Sequence, residues 1–315
     1  MTVRVRGGLL VAPALLLAAC GGGGDAHPAA RNSVVPSTRA ATAIADAPFT
    51  CPGSHDAFVT PGLTRLPPGA NAVRICYYDN TLLWLPPAGV LTRSVGALVH
   101  QVNTPRVRPV KKDQVCNADL GPAYGLVFRY PDGSRTIAAD TAGCRDIVVG
   151  STQRAGGRPL FHAYLAALAR QRTHTNPPTG RRHVGPCIPD RIPPFSELIA
   201  PALLSDARVC RPAHDGASPY LRHGRRLDAT RLRTFRRDLS TARRRAIDPR
   251  VGAHYCRAPT IAGPLRITAM DRWGDTFVVD VVCDLYRVQS PSTGGTLTVP
   301  LLPATARMLR PLLGG

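Results

Sequence analysis

The chain has 315 residues, of which 44% are hydrophobic, and this content is sufficient for buried cores. Its 40 basic residues outnumber 20 acidic ones, which gives a formal net charge of +20, and every basic residue except Lys111 and Lys112 is an arginine. Because Glu197 is the only glutamate, a catalytic pair of glutamates is excluded, and the net charge favours anionic partners such as lipid headgroups, wall polymers or nucleic acid.

The N-terminal residues combine two arginines, Arg4 and Arg6, with an apolar run and then Leu17-Ala18-Ala19-Cys20. This order resembles the signal of bacterial lipoproteins. The resemblance implies removal of residues 1–19, lipidation (including palmitate) of Cys20, and anchoring to the outer face of the cell membrane. The apolar run is about half of the ~20 residues that a bilayer-spanning helix needs. An ordinary secretory signal that ends in a chance cysteine is the alternative.

Residues 20–50 contain no periodic apolar pattern and are rich in Gly, Ala, Ser, Thr and Pro. Such a composition predicts a flexible tether that spans roughly 30 Å on average. It would hold a folded part away from the lipid headgroups. Export also makes nucleic acid the least suitable of the anionic partners, so we expect none.

Eight cysteines follow Cys20, an even number in a chain directed to an oxidising space. No two of them are closer than 23 residues, whereas zinc ligands are typically two to four residues apart, so no metal is expected. We predict four disulfides that lie within the two halves of the chain, with Cys51 paired to Cys76, Cys116 to Cys144, Cys187 to Cys210, and Cys256 to Cys283. An exchange of the first and third partners within a half is the alternative.

The cysteines fall into two sets of four with matching intervals of 25, 40 and 28 residues and of 23, 46 and 27 residues. An arginine precedes the second cysteine of each set by two positions, at Arg74 and Arg208. This regularity indicates an internal repeat. We therefore predict a first module at residues 51–170, a linker at 171–186 and a second module at 187–315. One continuous domain with unrelated cysteines is the alternative.

In the first module, Ala72 to Tyr78 predicts a strand, and apolar residues at helical spacing over 95–102 predict a helix. A hairpin is expected over Tyr124 to Asp140, because Asp132-Gly133 suits a tight turn. A strand at Asp146 to Val149 and a helix with an apolar face from Leu160 to Leu168 complete this module.

The second module repeats this order with a strand at Ala207 to Cys210, a helix near Arg231 to Ala246, and strands at Leu265 to Ala269 and Thr276 to Val282. A weaker C-terminal helix is expected at Ala304 to Leu313, where Pro311 would interrupt it. The pattern β-α-β-β-β-α predicts the α+β class: two tandem disulfide-stapled repeats, each an antiparallel sheet with helices on one face.

The search for catalytic and nucleotide-binding motifs finds no Gly-x-Ser-x-Gly, no His-Glu-x-x-His and no phosphate-binding glycine loop. One stretch stands out, since residues 222–250 hold eleven arginines and only three aspartates. Guanidinium groups offer paired donors to phosphate or carboxylate, so the predicted helix here is a candidate anion-binding face. Its candidate residues are Arg233, Arg236, Arg237, Arg243 and Arg244. A solvated helix in an arginine-biased proteome is the alternative.

The exported part resembles secreted and lipid-anchored actinobacterial proteins with paired-cysteine α+β modules, whose motifs are spacings rather than reactive groups. The resemblance carries over no catalytic residue and implies no cofactor. We expect a non-enzymatic binding or structural role at the cell surface, with an anionic wall polymer, a lipid headgroup or an exported protein as partner. An exported hydrolase with a site assembled from distant residues is the alternative.

Overall fold

The computed structural model describes residues 49–54, 56–77, 84–109, 115–116, 121–180, 183–187, 195–196, 203–211, 224–242, 265–290 and 295–312. Within these ranges the chain is an α+β protein with two six-stranded sheets and four α-helices. All strand pairs within the two sheets are antiparallel. The predicted fold class is therefore confirmed.

The described residues of the first module form seven strands and two helices. They are β1 (Ala72–Tyr77), β2 (Trp84–Leu85), α1 (Val95–Asn103), β3 (Val107–Arg108), β4 (Ala123–Tyr130), β5 (Gly133–Asp140), β6 (Asp146–Val149), β7 (Thr152–Ala155) and α2 (Gly157–Thr173). The first sheet has the order β1-β4-β5-β6-β7-β3. Its central hairpin β4–β5 closes between Tyr130 and Gly133, where Gly133 has a φ of 133°, so the expected Asp-Gly turn is present.

In the second module, the part of the chain that the structure describes forms a further seven strands and two helices. They are β8 (Phe195–Ser196), β9 (Leu204–Cys210), β10 (Gly224–Arg226), α3 (Ala229–Ala242), β11 (Leu265–Asp271), β12 (Thr276–Val282), β13 (Leu285–Ser290), β14 (Gly295–Pro300) and α4 (Pro303–Leu309). The second sheet has the order β10-β9-β11-β12-β13-β14. The C-terminal helix is shorter than expected, because a 3-10 turn at Arg310–Leu312 replaces its last residues around Pro311.

The two sheets correspond strand by strand. The series β1-β4-β5-β6-β7 in the first sheet has the same order as β9-β11-β12-β13-β14 in the second, and in each series a helix follows the first strand and the last strand. The two sheets are separate. Each series has five strands, one more than the predicted pattern β-α-β-β-β-α. The sheets differ at their edges, since β3 extends the first sheet beside β7 and β10 extends the second beside β9.

Three predicted disulfides are confirmed. Their Cα–Cα distances are 5.6 Å for Cys51–Cys76, 4.9 Å for Cys116–Cys144 and 5.8 Å for Cys187–Cys210. Cys283 is also disulfide-bonded, and Cys256, its predicted partner, lies outside the described residues. The bridges agree with an oxidising, extracytoplasmic environment.

Each sheet packs one face against its helices. In the first module the predicted helical faces are buried, with Val102, Leu160, Phe161 and Tyr164 all fully inaccessible. In the second module α3 buries Leu232, Phe235 and Leu239 against the sheet. A smaller cluster on the other face of the first sheet contains Phe58, which lies so close to Gly125 that a Cβ there would be 1.9 Å from its ring.

The modules meet through a buried ion pair at the end of α2, which extends through Thr173 into the segment expected to be linker. The guanidinium of Arg172 donates to both carboxylate oxygens of Asp275, at 2.5 and 2.9 Å, and to the carbonyl oxygen of Ala88. Both charged side chains are less than 9% exposed. Nearby, β2 of the first module pairs in parallel with β8.

Candidate functional site

Helix α3 is the arginine-rich element, and Asp228 caps its N-terminus. The Asp228 carboxylate accepts a hydrogen bond from the backbone N–H of Arg231 at 2.9 Å, which is the usual N-cap geometry. This bond, together with the charge of Arg231, lowers the pKa of Asp228 below its ordinary value. The helix therefore begins at Ala229, two residues before the predicted start near Arg231.

The one acidic residue within α3 points into the protein. Asp238 is 1% exposed and accepts hydrogen bonds from the hydroxyl of Tyr286 at 2.9 Å and from the backbone N–H of Leu302 at 3.0 Å. These bonds fasten α3 to β13 and to the start of α4. Because this carboxylate is occupied in the interior, it does not neutralise the arginines on the outer side.

The outer side of α3 carries Arg233 and Arg237, which are exposed, and Arg236, which is half-buried. Arg272, in the turn between β11 and β12, is close enough to Arg236 that its charge, after the larger effect of burial, lowers the Arg236 pKa. We call these four residues the arginine face. None of them forms an ion pair with a carboxylate in the described part of the chain. The other two candidates, Arg243 and Arg244, lie outside the described residues.

Beside the arginine face lies a cleft of about 790 Å³. Five segments form it: the chain after α2, the start of β9, the end of β10, the first turn of α3, and the β11–β12 turn. Its lining residues are Pro177, Pro178, Gly180, His183, Ser205, Asp206, Arg226, Leu227, Asp228, Ala229, Leu232, Asp271 and Arg272.

Asp206 is the organising side chain of the cleft. It is 2% exposed and accepts hydrogen bonds from Arg226 Nε at 2.6 Å and from the backbone N–H of Val184 at 2.9 Å. Burial raises the Asp206 pKa, but these bonds and the Arg226 charge outweigh burial, so the net pKa is below its ordinary value. Asp206 therefore stays ionised and holds Arg226 in one orientation.

His183 lies against the same pair. Its Nδ1 is 2.5 Å from Arg226 Nη2 and 3.6 Å from Asp206 Oδ2. Because a guanidinium only donates, Nδ1 accepts, and the ring proton of a neutral His183 is then on Nε2. In a serine-hydrolase triad the histidine instead donates Nδ1–H to the carboxylate. His183 and Asp206 therefore do not have the geometry of that triad. In the described ranges, the hydrogen-bond donors His183 Nε2 and Arg226 Nη1 have no protein partner and remain for a ligand.

Asp271 connects the cleft to the contact between the modules. It accepts the backbone N–H groups of Trp273 at 2.8 Å and Asp275 at 2.9 Å, and it lies 3.9 Å from Arg172 Nη1. Burial and the Asp275 charge raise the Asp271 pKa to about 6, although Arg172 partly opposes them. One arginine thus faces two buried carboxylates at this position.

Sequence reasoning identified the arginines of α3 but not the cleft. The cleft residues come from three separate parts of the chain, and no local motif joins them. His183 lies in the predicted linker, Asp206 in β9 and Asp271 at the end of β11. The only local signal was the position of Arg226 within the arginine-rich stretch. These segments meet because β9 pairs with both β10 and β11, and these pairings join residues that are separated in the sequence.

Among the residues that the structure describes, no group of three His, Cys, Asp or Glu side chains is arranged to hold a metal ion. Nor is any helix in those ranges both long and apolar enough to cross a bilayer. No family model matches the chain, and no curated protein or solved structure is significantly similar to it.

Proposed function

We propose that the chain is an envelope lipoprotein, anchored to the outer face of the membrane through Cys20, that binds an anionic wall polymer without catalysing a reaction. The arginine face is the binding surface. The observation that carries this proposal is that Arg233, Arg236, Arg237 and Arg272 lie on one side of the second module without a carboxylate partner in the described ranges.

The arginine face carries positive charge that no carboxylate in the described ranges neutralises. A solvated arginine in an arginine-biased chain is ordinary, but other arginines of this chain are used internally, such as Arg172 with Asp275 and Arg266 with Asp280. Four unpaired cations that share a surface produce a local positive potential, and guanidinium groups offer paired donors to phosphate or carboxylate oxygens. An extended anionic polymer meets several of them at once.

The location supports the same partner. Disulfides persist outside the cytoplasm, and a tether at residues 20–50 would place the folded modules roughly 30 Å from the lipid surface. The charge of anionic headgroups is screened over ~10 Å at 0.1 M salt, so it would act on the modules only when the flexible tether brings them close to the lipid surface. We therefore favour the polymer over the headgroups as the partner.

The test is binding of the folded part, from residue 49 to the C-terminus and without lipid, to purified anionic wall polymer. The variant changes Arg233, Arg236 and Arg237 together to Gln, which spares the buried side of α3. The matched control changes three exposed arginines of the first module, Arg65, Arg93 and Arg106, to Gln and removes the same charge.

We expect the α3 variant to bind at least about tenfold more weakly, since three partly exposed contacts contribute roughly 0.5 kcal/mol or more each. The control should retain most of the binding, and wild-type binding should fall steeply as salt rises. Equal losses in both variants would show that total charge alone acts. No binding by wild-type protein at low salt would overturn the proposal.

A further inference from the structure

The cleft beside the arginine face has hydrogen-bond donors that remain after its own carboxylates have been satisfied. Asp206 is occupied by Arg226 and by backbone N–H groups, and Asp228 by the start of α3. Asp271 is occupied by two backbone N–H groups. Asp206 and Asp271 are therefore turned toward the protein, whereas the Asp228 side chain is 56% exposed and its charge is paired with Arg231 at 3.2 Å.

Two guanidinium groups remain available to a ligand. Arg226 uses Nε for Asp206 and Nη2 for His183, and Nη1 has no partner among the described residues. The Arg272 side chain is exposed and has no hydrogen bond in those ranges. With His183 Nδ1 accepting from Arg226, its Nε2–H is a third donor. Donors that are fixed before binding cost less entropy when a ligand arrives.

The remaining walls of the cleft are apolar. Pro177, Pro178, Leu227 and Leu232 line the cleft, and the hydroxyl of the exposed Ser205 donates to the carbonyl oxygen of Met270 at 3.2 Å, which leaves its oxygen as an acceptor. A volume of about 790 Å³ lies within the range of small-molecule sites, ~300–1,000 Å³. Such a site suits a compact ligand with one anionic group and a body of C–H and hydroxyl groups.

We propose that this cleft binds one sugar-phosphate or polyol-phosphate unit, with the phosphate held by Arg226 and Arg272 and the hydroxylated body against Pro177, Pro178 and Ser205. The inference rests on the proposed function, since it makes the cleft the site that recognises the repeating unit of the polymer. The arginine face then supplies general attraction, and the cleft supplies selectivity.

The experiment titrates the same folded fragment with α-glucose 1-phosphate, glycerol 3-phosphate, glycerophosphoglycerol and uncharged glucose, with affinity measured by calorimetry or NMR shifts. We expect saturable binding of α-glucose 1-phosphate or glycerol 3-phosphate and none of glucose. Glycerophosphoglycerol has the phosphodiester unit that a polyol-phosphate chain and a lipid headgroup share, so vesicles of phosphatidylglycerol distinguish the two sources. Preferential binding to the vesicles over the soluble phosphate probes would assign the phosphate to a lipid source instead of a wall polymer.

Variants locate the site. Arg272→Gln changes an exposed side chain and should weaken binding of the phosphate probes at least about tenfold, as expected for loss of a charge-assisted hydrogen bond. Arg225→Gln is the matched control, because it removes the same charge from the neighbouring exposed position on β10, which does not line the cleft. His183→Gln should reduce affinity less, while thermal unfolding confirms that each variant is folded.

The outcomes separate this inference from the proposed function. Polymer binding that depends on Arg233, Arg236 and Arg237, without saturable binding of any phosphate probe, would overturn the cleft site and leave the proposed function intact. Equal affinity of Arg272→Gln and Arg225→Gln for a bound probe would also overturn it. Failure of both polymer and probes to bind would overturn the two together.

Discussion

Arginine has three different roles in this chain, although the sequence presents all of them as the same excess of charge. Arg154 is 6% exposed and donates to the backbone carbonyls of Asn103, Pro105 and Thr64 at 2.8 to 3.2 Å. Arg172 forms the buried ion pair between the modules. The arginines on the outer side of α3 and at the β11–β12 turn have a third role, since they lie on one surface without a carboxylate partner in the described ranges and are the candidates for binding a polymer.

At the scale of a single residue, Cys20 carries the prediction on location. Cys20→Ala removes the sulfur to which lipid would be attached, and we expect the protein to move from the detergent phase to the aqueous phase after cell fractionation. Ser at the same position tests whether a hydroxyl of similar size restores anchoring, which we expect it not to do. A Cys20→Ala protein that remains fully in the detergent phase would contradict the lipid anchor.

At the scale of the elements, α3 depends on Asp238 for its attachment. In Asp238→Ala the Tyr286 hydroxyl and the Leu302 N–H lose a buried acceptor, which costs about 1–3 kcal/mol for each unsatisfied donor. We expect a lower free energy of unfolding by about 2–4 kcal/mol, measured by urea denaturation. Double substitution with Tyr286→Phe removes one of the two donors and should recover part of the loss, whereas additive losses would show that the two side chains act independently.

The elements also show what sequence patterns can and cannot give. The helical faces of Leu160 to Leu168 and of Leu232 to Leu239 were predicted, because burial on one side imposes a 3.6-residue period. Strand β7 was missed, since Thr152–Ala155 is short and polar and has no apolar alternation. Strands β13 and β14 were also missed, although Thr296 to Val299 in β14 alternates polar and apolar residues as a half-buried strand does.

At the scale of the whole molecule, the decisive contacts join residues that are distant in sequence. Arg172 was assigned to a linker, and nothing near it indicates that Asp275, 103 residues later, is its partner. The cleft likewise needs five separate segments. Three disulfide pairs were predictable because the cysteine spacings repeat. The ion pair depends on how the modules pack and the cleft on the strand pairing within the second module, and neither is revealed by a repeat.

The buried cluster of Arg172, Asp271 and Asp275 makes the stability of the molecule depend on pH in a defined direction. The Asp271 pKa is about 6 in the folded protein and near 3.8 in the unfolded chain. Between these values the folded state binds a proton that the unfolded state does not. The contribution of Asp271 to the free energy of unfolding therefore increases as the pH falls from about 7 toward 4, with a slope of at most about 1.4 kcal/mol per pH unit.

Urea denaturation of the wild type and of Asp271→Asn at pH 5, 6 and 7 isolates this contribution. Asparagine keeps an oxygen for the N–H groups of Trp273 and Asp275 but does not titrate, so its stability relative to wild type should be greatest at pH 7 and decline toward pH 5. Other carboxylates, such as Asp206 with its lowered pKa, act equally in both proteins and cancel in the difference. A difference that is constant from pH 5 to 7, or that grows toward pH 5, would show that Asp271 is ionised throughout and that Arg172 neutralises it together with Asp275.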